Sequence, residues 1–169
     1  MRKHPQQIRS CEGGLDVRIV LSVDPGKKSG IALLSFNGEN PEIISSGEFL
    51  MEDYAEPILK SIEYAKLQGV VLETVCERFT INAQTVKNSQ APFSLEQIGI
   101  LKYLLLSNDL DHALIKFQSP SDAKRMFPNE ALKKLDYWHR GGEGHALDAI
   151  RHGLLHLTKT GWTPLRLLQ

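Results

Sequence analysis

Four side chains have the residue types and spacing that chemistry would need. Asp24 closes the apolar run VRIVLSVD just before Pro25-Gly26, Glu77 follows the run VVLETVC, and His145 and Asp148 stand three residues apart in HALDA. A carboxylate at the exposed end of a buried strand, beside a turn that lets another backbone come close, calls for a cation. Asp24, Glu77 and Asp148 are expected to converge from two strand ends and one helix face. Clustered carboxylates repel and raise one another's pKa unless divalent cations neutralise them. An oxygen-rich cage of this kind selects Mg2+ or Mn2+, and two such ions about 4 Å apart activate water and stabilise the leaving oxygen of a phosphodiester. The chemistry implied is metal-assisted hydrolysis.

Each residue also has a plainer reading. Asp before Pro-Gly is ordinary turn chemistry, Glu77 serves equally well as a solvated strand end, and Asp148 as a helix-face charge with a salt-bridge partner. Glu73, four residues before Glu77, shares its face of the strand but lies farther from the edge. On the last helix, a turn of about 100° per residue gathers His145, Asp148, His152 and His156 in one sector, with Leu147, Ile150, Leu154 and Leu157 opposite. The histidines raise the question of zinc, but no cysteine or further spaced ligand completes such a site.

The elements that must position these groups follow from the apolar periods. Residues 17–23, 29–36 and 42–49 read as an antiparallel meander. A helix begins near Asp53, keeps Ile58, Ile62 and Ala65 on one face, and stops at Gly69. The strand 70–76 is expected to return parallel to the first, which puts Asp24 and Glu77 at one sheet edge, where open α/β sheets place their sites. Residues 78–92 form a long polar connection of the kind that is more often functional than idle. Residues 93–106 read as a helix with Ser94 and Gln97 as a capping box. Its apolar set is wide enough for two faces, one of them open to a partner subunit. A strand at 113–117, a helix capped by Ser119 or Ser121, a short helix at 129–135, a hinge from Arg140 and a last helix at 143–158 complete the domain. Residues 1–16 are expected to be a flexible arm, 17–160 one domain and 161–169 a tail.

The length of 169 residues, 41% hydrophobic, suits a single core. Lys+Arg and Asp+Glu number 20 each, so any basic footprint must be local. Candidate phosphate contacts are Lys27, Lys28, Arg78, Lys87, Lys102, Lys116, Arg125, Lys133, Lys134 and Arg140; Phe79 suits base stacking or core packing. Cys11 and Cys76 are too few for a disulfide framework and fit a reducing, cytoplasmic setting. No apolar run approaches the ~20 residues that span a bilayer, so no membrane association is expected.

LSVDPGKKSGIALL, VVLETVCERF and HALDAIRHGLL resemble the three signature segments of RuvC-type Holliday junction resolvases, most of all those encoded by bacteriophages. The resemblance runs in order across residues 17–157. It implies an α/β, RNase H-like fold, here a mixed five-stranded sheet of an antiparallel meander plus parallel strands, flanked by helices. It implies further that Asp24, Glu77, His145 and Asp148 are catalytic and hold two Mg2+ ions per site, with Mn2+ as a substitute. Lys124 resembles a family lysine beside the scissile phosphate. The implied partners are four-way junction DNA and a second copy of the chain, joined through the helix 93–106; the implied place is the host cytoplasm. A related expectation is a nuclease of the same fold acting on flaps, forks or other branched nucleic acid.

Overall fold

A computed structural model describes residues 17–81, 91–138 and 144–167. The first arm, Lys87 and Arg140 lie outside the described residues. Five strands form one sheet: β1 (Arg18–Asp24), β2 (Ser29–Phe36), β3 (Glu42–Phe49), β4 (Leu72–Glu77) and β5 (Lys116–Gln118). Their order is β3-β2-β1-β4-β5. The first three pair antiparallel, and β4 and β5 add in parallel on the other side of β1. The expected meander and parallel return are both present, although β4 starts two residues later than 70. Of the residues 113–117 expected to be extended, Ala113 and Leu114 lie in a 3-10 turn (His112–Leu114), and β5 begins at Lys116. Asp111 explains this, because its side chain accepts from Ala113 N and closes the turn.

Alternation along the strands divides the core into two layers. Ile19, Leu21, Val23, Ile31 and Leu33 face α1 (Ala55–Gln68) and α2 (Ala91–Ser107). Val20, Ala32, Leu34 and Val75 face α5 (Gly144–Lys159), joined there by α3 (Pro120–Met126) and α4 (Asn129–Lys134). The period of two has a functional result. Asp24 lies in register with Val20 and Ser22, and Glu73 and Glu77 with Val75, so all three acids face α5. Gly69 ends α1 in the left-handed conformation at φ 67, where a side chain would be strained. The segment after Gly161 is tied in by Trp162, which is buried and stacks on Phe127 with ring centroids 6.0 Å apart.

Two details of α2 and α5 depart from expectation. Helix α2 begins at Ala91, ahead of the expected cap, so Ser94 and Gln97 are interior positions and form no capping box. They are buried polar groups and must find partners inside the molecule. Glycines near Asp24 were expected to leave room for a ligand backbone. Gly30, the register partner of Asp24, instead makes room for α5, since a Cβ there would stand 1.8 Å from the His145 carbonyl oxygen.

Candidate active site

The turn after β1 is fastened from below by α2. Gln97 Oε1 accepts from Gly26 N at 2.8 Å and from Ser29 Oγ, while Ser94 Oγ donates to the Pro25 carbonyl at 3.0 Å. Above it lies the first turn of α5, seated on Gly30. Glu48 of β3 reaches across, and its Oε1 accepts from His145 N at 2.9 Å and Ala146 N at 3.4 Å. A carboxylate there satisfies helix N–H groups and suits the positive end of the helix dipole. These constraints bring His145 Nδ1 to 2.8 Å from Asp24 Oδ2. Asp24 is only 5% exposed. Burial lifts its pKa to about 6 despite the His145 hydrogen bond, and the charges of Glu77 and Asp148 push the same way. The bond to Asp24 in turn raises His145.

The same helix supplies partners to the other acids. Glu77 Oε2 lies 2.9 Å from His152 Nε2, whose Nδ1 is 2.9 Å from the Gln118 side-chain amide. Asp148 is held by Arg151 at 2.6 Å through Oδ1 and by Lys124 at 2.9 Å through Oδ2. Burial opposes the Lys124 charge, but the hydrogen bond to Asp148 and the nearby carboxylates outweigh it and raise the lysine. Arg151 is itself buried and anchored on the Phe127 carbonyl at 2.8 Å and on Asn129. Glu73 is occupied differently. Arg18 grips both of its oxygens, at 2.6 and 2.8 Å, and His156 adds a 2.6 Å contact. Burial alone would raise Glu73, yet these two partners bring it down to about 2.

Residues from β1, β4 and α5 thus meet at one edge of the sheet. No protein-family model matches the sequence, and no curated protein does. Solved structures do. Thermus thermophilus RuvC in complex with a Holliday junction substrate aligns with a TM-score of 0.61 at 14% identity, covering 85% of this chain and 96% of that one. A second Thermus thermophilus RuvC structure gives 0.62 at 14% identity, covering 84% and 95%. The fold is RNase H-like, as in RuvC. At this identity the likeness concerns the fold alone.

Within this RNase H-like frame, the donor chemistry fits a hard divalent cation. Asp24, Glu77 and Asp148 offer carboxylate oxygens, and their charges are close enough to act on Asp24. Among the described residues, however, no three His, Cys, Asp or Glu side chains form a ready-made metal-binding group. Each acid is also turned onto a protein partner, Asp24 onto His145, Glu77 onto His152 and Asp148 onto Arg151 and Lys124, as buried carboxylates must be.

The proposed nucleic-acid contacts divide by environment. Lys27, Lys28, Arg78, Lys116, Arg125, Lys133 and Lys134 are exposed. Arg125 pairs with Asp122 at 3.1 Å, and the Lys133 ammonium sits 5.0 Å from the Trp138 ring centroid. Lys102 lies 5.9 Å from the Phe117 ring centroid. Phe79 packs on the α1–α2 core layer and is half-buried, so core packing claims at least part of the ring.

Sequence reasoning missed Glu48, Gln97, Ser94, Gln118 and Arg151. Ser94 and Gln97 imitate a capping box, but polar residues three apart inside a strongly apolar helix also signal a buried polar contact. Arg151 stands three residues after Asp148, the spacing of a helical ion pair. Glu48 and Gln118 gave no local signal, because their contacts come from distant segments.

Proposed function

We propose that this chain is a homodimeric, divalent-metal-dependent endonuclease that resolves four-way DNA junctions. The reading is carried by Asp24 and Glu77 at the carboxyl ends of neighbouring parallel strands, facing His145 and Asp148 at the start of α5. Mg2+ or Mn2+ bound by these four residues would supply an activated water and positive charge at the leaving oxygen. Asp24, deepest of the acids, would hold the ions. His145, with Nδ1 on Asp24, would offer Nε2 to the ion or its water. Lys124, with its side chain 57% exposed beside Asp148, would meet the scissile phosphate. The exposed lysines and arginines around β5, α3 and α4 would hold the DNA arms through their phosphates. The outer face of α2 carries Leu95, Tyr103 and Leu106, the kind of exposed apolar stripe that a second copy would cover.

The test compares a four-way junction, a flap, a fork and linear duplex, each with Mg2+, Mn2+ or EDTA. Junction cleavage that exceeds duplex cleavage and stops in EDTA supports the proposal. Equal cutting of duplex and junction overturns the substrate, and activity in EDTA overturns the metal. Asp24→Asn, Glu77→Gln and Asp148→Asn are expected to abolish cutting while junction binding persists.

A further inference from the structure

Two Glu–His pairs join β4 to α5, and they differ in one respect. In the inner pair, Arg18 and His156 together engage both oxygens of Glu73. In the outer pair, His152 engages Oε2 of Glu77, and no such second contact takes Oε1 among the described residues. The first is a saturated structural contact. The second, among the described residues, leaves Oε1 open at the sheet edge.

His152 is 1% exposed and held on both sides. A carboxylate only accepts, so His152 Nε2 must carry the hydrogen that bridges the 2.9 Å to Glu77. The Gln118 amide at Nδ1 is compatible with this in either orientation, presenting NH2 to a neutral ring or oxygen to a charged one. The main chain of Gln118 is fixed, since the residue is the register partner of Glu77 and its main-chain carbonyl accepts from Arg78 N at 2.7 Å. The chain of contacts therefore runs from the end of β5, through a buried ring, to one oxygen of Glu77.

We infer that His152, locked by Gln118, is the positioning residue for Glu77: its Nε2–H fixes Oε2 and so aims Oε1 at the cation site. The inference rests on the metal-nuclease reading for its purpose and on these contacts for its form. Partners of this kind orient ligating side chains and tune their affinity.

The test measures Mn2+ binding to metal-free protein without DNA, by titration calorimetry, together with 15N NMR of the histidine rings. His152→Met keeps volume but has no donor, and is expected to weaken Mn2+ binding by roughly 10–100-fold. His152→Gln, with an amide donor of similar reach, should recover most of that loss. A folded His152→Met protein that binds Mn2+ as tightly as wild type overturns the inference while leaving the nuclease reading intact. In the wild-type protein, an Nε2 without hydrogen also overturns it, whether or not the variants fold. Wild-type protein that binds no Mn2+ overturns the nuclease reading, and the purpose given to His152 with it.

Discussion

Asp24 is kept in a place where its charge is costly. With a pKa of about 6 against an ordinary 3.8, holding it ionised at neutral pH without a cation costs on the order of 3 kcal/mol. A raised carboxyl contributes most to stability below its unfolded pKa and loses that contribution as pH rises through its folded one. The raised His145 works in the same direction. Metal-free protein is therefore expected to melt at falling temperature as pH rises through about 6, with Mg2+ reversing the fall; Asp24→Asn should flatten the trend, as scanning calorimetry in EDTA would reveal. Glu73 gives the opposite slope at acid pH. Its depressed pKa contributes above about 4.5, and that stability disappears as pH drops toward about 2. Exchanging Glu73 for Gln should cost roughly 1–3 kcal/mol yet leave junction cutting measurable, whereas Glu77→Gln should lose cutting with little change in denaturation midpoint.

At the scale of elements, the site depends on how closely α5 approaches β2. Gly30→Ala puts a methyl group into the His145 carbonyl. Because the obstacle is backbone, relief requires the helix to move, at a cost of about 1–3 kcal/mol or more, and cleavage should fall more than stability. Gln97→Leu is expected to free the 25–29 turn and raise the metal concentration needed for half-maximal cutting, with α2 helicity preserved in circular dichroism. These contacts also explain what the sequence could disclose. Strand and helix periods are local, so the meander, the parallel return and the shared face of His145, Asp148, His152 and His156 were legible. Asp24 and Glu77 were marked by their places at strand ends and Asp148 by its helix face. The contacts that brace the site were not, because Glu48, Gln118 and Arg18 meet α5 or β4 only after the sheet has formed, and no local pattern marks such a meeting. The capping-box reading of Ser94 failed because the same S-x-x-Q spacing also serves a buried polar latch.

For the molecule as a whole, α2 has two loaded sides. Its inner side holds the Asp24 turn, and its outer side exposes Leu95, Tyr103 and Leu106 at 45%, 68% and 59%. Under the proposed dimer, Tyr103→Glu combined with Leu106→Lys should convert the protein to monomer in sedimentation and uncouple the two cuts, yielding single nicks. A dimer that survives this pair of charges would place the interface elsewhere. The helix on the opposite layer has a different consequence. His145 and His152 both belong to α5, so Asp24 of β1 and Glu77 of β4 gain or lose these partners in one event, and Asp148 arrives or leaves with the same helix. If α5 lifts, no fraction of the site survives. Under the proposed nuclease reading, such a site would have no half-working state: thermal loosening would silence it and not leave it to damage DNA with a partial set of acids.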